Sequence, residues 1–153
     1  RNNLDNANFN ALFLMEHMWS HFFEDALSLK QVLDWVVFRE KCWKDVDTSL
    51  FESEAKACGF WNFSKSIAQI VEQLLQKDSP MQFEDKYTQR LWEQIWTGGG
   101  SVEINNGWKT RIQLVANYFR NGWRYRAFSN HSAFYVLLRT TAGFLFDRNP
   151  KIY

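Results

Sequence analysis

His17 and His21 stand four residues apart, and Asp34 follows thirteen residues after the second of them, four past Lys30. Two imidazoles at that spacing share one face of a helix. Such a pair can take part in metal ligation. It can also stand solvated or satisfied within a core, or donate a ring N–H to a carboxylate. Metal ligation on a helix wants a third and fourth ligand, and the zincin signature needs Glu directly after the first His, where Met18 stands. No metal site is therefore assigned. Asp34 has two readings: an exposed i, i+4 ion pair with Lys30, or a carboxylate at the edge of a buried face beside Trp35 and Val36, where desolvation demands a partner such as His21.

Both readings depend on how the elements carrying these residues are set. Residues 9–23 are apolar nearly all round except for a stripe of Glu16, His17, Ser20, His21 and Glu24, which fits one helix over about 6–24. The pattern breaks at 25–27. Ser28 then suits an N-cap, with Gln31 three residues on as the returning half of a capping box. A connection this short makes the next helix, 29–44, an antiparallel neighbour of the first. His21 and Asp34 are thereby expected to face one another, with Leu29, Val32, Leu33, Val36 and Trp43 along the inner side.

Further helices are expected from about residue 50 to just before Gly59, a natural left-handed C-cap, and then over 62–77 and 85–97. Asp78-Ser79-Pro80 and Gly98-Gly99-Gly100 supply the stops. Two closing helices, 108–120 and 130–146, are expected to meet at a corner over 121–126. The expectation is an all-α fold, one domain over 1–153 in a single bundle of about six or seven helices. The Gly-rich stretch 98–107 is the candidate hinge or ligand loop.

The chain holds 153 residues, enough to bury roughly two thirds of its unfolded surface. Its 14 Phe and 8 Trp need a deep interior, an interface or a ligand to cover them. Net charge is +1, which gives no reason to invoke nucleic acid or a membrane, but it is unevenly spread. Residues 1–104 carry 10 basic and 16 acidic side chains; residues 105–153 carry 8 basic ones and a single acid, Asp147. The basic half either docks on the acidic half or receives a phosphate-bearing ligand near Lys109, Arg111, Arg120, Arg124 and Arg126. The run Trp123-Arg124-Tyr125-Arg126 likewise suits either base stacking with phosphate neutralisation or ordinary helix packing.

Cys42 and Cys58 have neither metal spacing nor a paired framework, so a reduced, cytoplasmic setting is expected. The apolar run 133–146 has 14 residues and contains Arg139, too short for the roughly 20 that span a bilayer. The chain opens on Arg1 rather than Met, and is read as the later part of a longer one. Gly98-Gly99-Gly100-Ser101 lacks the Lys of a Walker loop, and no Ser/His/Asp or Cys/His arrangement is recoverable. Physics alone names no activity here.

Residues 17–35, with two His four apart, a short turn and then Leu29-Lys30-Gln31-Val32-Leu33-Asp34-Trp35, resemble the middle of uncharacterised nucleotidyltransferase-like proteins common in gut Bacteroides. The Gly-rich turn and the basic-aromatic run at 123–126 are weaker echoes. The resemblance implies the helical region that follows a polymerase β-type core, closing over nucleotide or acceptor. It places His17, His21, Lys30 and Asp34 nearest that upstream core, and Arg124 and Arg126 toward phosphates. Two departures accompany it. Lys30 replaces an Arg and so loses the planar fork. The Gly-Ser turn followed by a strand with two carboxylates one residue apart, which hold Mg²⁺ in that superfamily, is absent: after Gly100-Ser101, Glu103 is followed two residues later by Asn105. Mg²⁺ and a nucleoside triphosphate are thus implied for a parent protein, with no cofactor in this chain and no catalysis by it alone. The alternative is a stand-alone helical interaction or dimerisation module whose surplus aromatic residues form the contact surface.

Overall fold

The computed structural model describes residues 2–24, 26–76, 81–98 and 120–129. The expected helices over 108–120 and 130–146, the loop 98–107 beyond Gly98, and Lys109 and Arg111 lie outside these residues. The described residues are all-α, with no strand among them. The chain forms two compact units, Arg1–Gly100 and Ser101–Tyr153.

The first unit is built from α1 (Asn2–Glu24), α2 (Leu29–Cys42), a 3-10 turn (Trp43–Asp45), α3 (Thr48–Cys58), α4 (Trp61–Leu75) and α5 (Lys86–Thr97). The starts of α2, α3 and α5 are written in local chemistry. At α2, the Ser28 N–H donates to Gln31 Oε1 (2.9 Å) and the Gln31 N–H to Ser28 Oγ (3.4 Å), completing the expected capping box. Asp47 caps α3 by accepting from the N–H groups of Ser49 and Leu50, both at 3.0 Å. Its own N–H donates to Asn8 Oδ1 (2.9 Å), which ties the entry of α3 to α1. Gly59 and Gly98 close α3 and α5 at φ of 87° and 75°, a region that any other residue enters only with strain.

Packing follows burial period. In α1 the buried positions Ala7, Ala11, Met15, Met18 and Phe22 recur at spacings of four and three, one stripe along its length. α4 is covered on more than one side: Phe63, Ser64, Ser66, Ile67, Ile70 and Val71 are all buried, and the helix touches α2, α3 and α5. Phe22 meets Phe63 at 5.4 Å between ring centroids, and Trp19 meets Phe60 at 6.1 Å. A second aromatic cluster joins Trp35, Trp43 and Phe51, where α2, the 3-10 turn and α3 converge. Arg39 lays its guanidinium 5.4 Å from the Trp43 ring centre, closing the cluster toward solvent.

Two expectations are corrected. The inner face of α2 is carried by Val32 and Trp35, whereas Leu33 is 47% exposed. Trp35 wins because it has aromatic partners beyond its own helix to bury against, Trp43 and Phe51. The expected corner over 121–126 is helical, part of a helix over 120–128 in the second unit. Gly122 sits inside that helix with φ outside the left-handed region, so it acts as a helical residue rather than a breaker.

Candidate functional site

The solvent face of α1 is where the structure departs furthest from ordinary helix surfaces. Phe9 is 65% exposed and Phe13 54%. Phe9 and Phe13 stack at 6.2 Å with planes 12° apart; Phe13 and His17 stack at 5.9 Å and 6°; His17 and His21 meet edge to face at 4.4 Å and 88°. The i, i+4 spacing places each ring one turn above the last. The four make a continuous ladder along the helix. Asn6 and Asn10, joined through their amides at 3.3 Å, and exposed Glu16 supply its polar edges.

Of the residues singled out by spacing, His17 and His21 are therefore brought together. Asp34 is not brought to them: it is exposed, and among the described residues no hydrogen bond or ion pair joins it to His21. Rotation explains this. Asp34 lies roughly 200° round α2 from Val32 and roughly 100° from Trp35, the two residues that the helix buries. Lys30 is exposed as well and makes no ion pair with Asp34; an i, i+4 salt bridge joins Glu52 and Lys56 instead, on α3. In the second unit Arg126 is exposed, while Arg124 is only 3% exposed, so its guanidinium is held inside rather than offered to solvent. Among the described residues no group of three or more His, Cys, Asp or Glu gathers as metal ligands, and no helix is long and apolar enough to cross a membrane.

One polar constellation was not anticipated. Thr88, fully buried in α5, donates its hydroxyl proton to Asp85 Oδ2 (2.6 Å) and lies 2.7 Å from Ser66 Oγ on α4. With the Thr88 proton committed, Ser66 is the donor between the two hydroxyls. Asp85 Oδ1 meanwhile accepts from the N–H groups of Tyr87 (2.8 Å) and Thr88 (2.9 Å). Partial burial pushes the Asp85 carboxyl up. The bonds from the Thr88 hydroxyl, the Thr88 N–H and the Tyr87 N–H, with the charge of Lys65, outweigh it and hold the group below its ordinary value. Asp85 was legible as a helix start. The link from Thr88 on to Ser66, 22 residues away in the chain, carries no local sequence signal. No imidazole takes part, so the chain of hydroxyls is a tie between α4 and α5 rather than nucleophile machinery.

A further feature lies where residues 81–83, in the connector between α4 and α5, fold against α5. A cleft of about 490 Å³ is lined by Met81, Gln82, Phe83, Gln89, Trp92 and Glu93. Phe83 and Trp92 meet at 6.5 Å with planes 46° apart, and Trp96, 68% exposed, continues the aromatic surface 5.6 Å beyond Trp92. Comparison of the chain with protein-family models, with curated proteins and with solved structures finds no match.

Proposed function

We propose that this chain is a non-catalytic helical docking module, and that the solvent face of α1 is what it docks with. The carrying observation is the ladder of exposed Phe9, Phe13 and His17 with half-buried His21. Large apolar rings grouped on one outer face mark an interaction surface rather than scattered exposure. The occupant is a second copy, because the face is self-complementary. Laid antiparallel about Phe13, two such helices set Phe9 opposite His17, the Asn10 amide opposite the Glu16 carboxylate, and Asn6 opposite Ser20, with Phe13 against its own counterpart. No like charges meet. A face of this length, about 22 Å, sits at the small end of stable interfaces, so the dimer is weak and reversible. Unpaired Cys42 and Cys58 support placing it in the cytoplasm.

Light scattering or sedimentation across a concentration series tests this. The wild-type chain dimerises, and the double variant Phe9→Ser, Phe13→Ser becomes monomeric with its thermal unfolding nearly unchanged. A wild-type monomer at every accessible concentration sinks the dimer.

A second reading keeps the face and changes the occupant to a nucleotidyltransferase core, as the Bacteroides family resemblance implies. It is favoured by Lys30 and Asp34, which stand exposed without pairing to one another. In it the chain is the accessory region of a transferase, with His17, His21, Lys30 and Asp34 lining the seam and Arg126 meeting phosphate. The residues here do not fit Mg²⁺ with a nucleotide: the Asp-x-Asp run of this chain, Asp45-Val46-Asp47, sits in the 3-10 turn and the N-cap of α3 rather than on a strand after a Gly-Ser turn, and among the described residues no ligand set gathers. The core would hold both. Loss of NTP-dependent transfer by the whole protein on Asp34→Ala, without loss of stability, supports this occupant. An unchanged rate dismisses it.

A further inference from the structure

The cleft beside α5 uses no residue of α1 and asks a separate question. Its walls combine three polarisable apolar groups, Met81, Phe83 and Trp92, with two amides and one carboxylate, Glu93. None of the lining side chains is basic. Two α5 cations flank the cleft without lining it: Lys86, whose ammonium lies 5.1 Å from the ring centre of Tyr87, and exposed Arg90. Exposed Glu84, next to Phe83 in the chain, adds a second negative charge nearby. The Gln89 amide donates to Glu93 Oε1 (3.1 Å), which steadies the carboxylate without neutralising it.

Aromatic faces carry negative potential and attract cations that give up little hydration. A compact ammonium such as Lys keeps its water. A quaternary ammonium presents methyl groups to the rings and a diffuse positive charge to the carboxylate. We propose that the cleft of Phe83, Trp92 and Glu93 binds a trimethylammonium group, the chemistry shared by choline and trimethylated lysine. Two rings do not make a closed cage, so one flank of the ligand stays in solvent and affinity is modest. A ligand that also bears a nearby anion, such as phosphocholine, binds more weakly because Glu93 and Glu84 repel it.

The test is a titration of the isotope-labelled chain with choline, with trimethyllysine and with phosphocholine, read from the tryptophan indole N–H signals. Saturable shifts confined to the indoles of Trp92 and Trp96 are expected, strongest with the ligands lacking phosphate. Trp92→Leu weakens binding at least about tenfold, and Glu93→Gln, at an exposed site that does not threaten folding, about threefold to tenfold. Dimethylbutanol, in which carbon replaces the charged nitrogen, binds several-fold more weakly than choline. Equal binding of dimethylbutanol, equal binding by Glu93→Gln, or the same shifts produced as tightly by a neutral methyl glycoside overturns the proposal. So does the absence of saturation.

Discussion

The outer face of α1 and the body of α4 invert each other's chemistry. α1 turns two phenylalanines and two histidines outward, whereas α4 turns two serines inward among Phe63, Ile67, Ile70 and Val71. The inward serines are satisfied within the chain. Ser64 Oγ donates to the Phe60 carbonyl at 3.0 Å, and Ser66 reaches Thr88 across the helix interface. The outward rings of α1 have one another and little else. A buried hydroxyl with a partner is close to neutral for stability, but a ring left in water forfeits the transfer free energy that burial would return. The contrast locates where the fold is complete and where it offers a surface to something further.

The sharpest way to break the contrast is truncation on both sides. Phe63→Ala removes a ring that is wholly buried against Phe22, and denaturant unfolding should register a loss of about 3–5 kcal/mol. Phe13→Ala on the dilute chain should stay within about 0.5 kcal/mol of wild type. Comparable losses from the two would mean that the α1 face is already covered in solution.

A middle effect comes from the α4–α5 tie. Thr88→Val keeps the shape and deletes the hydroxyl, leaving Ser66 without its acceptor, and should cost about 1–3 kcal/mol. Asp85→Ala should cost about 0.5–2 kcal/mol by removing the cap. The Asp85 contribution has a definite pH sense. Its carboxyl lies lower in the folded chain than in the unfolded one, so the stabilisation is present above the ordinary carboxylate pKa and fades as pH falls through the lower folded value. Urea midpoints taken from pH 7 downward should therefore converge for wild type and Asp85→Ala at the acidic end. A gap that widens on acidification would reverse the assignment.

These elements also mark how far the sequence could be read. The caps at Ser28, Asp47 and Asp85 and the stops at Gly59 and Gly98 act through residues two to four away, so the pattern that makes them is visible in a short window. The face that α2 buries was misread because Leu33 and Trp35 are both apolar, and only the aromatic partners across the interface decide between them. The corner expected over 121–126 is helical through Gly122. A lone glycine costs a helix about 1 kcal/mol, which neighbouring residues can override. The Ser66–Thr88 bond depends on two helices meeting at one rotation, which no spacing rule encodes. The cleft at 81–93 was missed for the same reason, since its lining mixes connector and helix.

The smallest expected effect bears on the site that spacing first suggested. If His21 and Asp34 act separately, the single variants His21→Ala and Asp34→Asn change stability by a few tenths of a kcal/mol each. The double variant then equals their sum, because groups without a shared partner add. His21→Ala removes an edge-to-face contact with His17 at 4.4 Å, and Asp34→Asn a solvated charge. Neither leaves a buried group exposed. A coupling above about 0.5 kcal/mol would instead mean that α2 turns in solution to bring the carboxylate against the imidazole. That turn would have to lift Trp35 away from Trp43 and Phe51, so it should appear together with a loss of near-ultraviolet aromatic signal. Additive variants with an unchanged aromatic signal leave the ladder on α1, rather than a histidine–aspartate seam, as the chemistry that this end of the molecule presents.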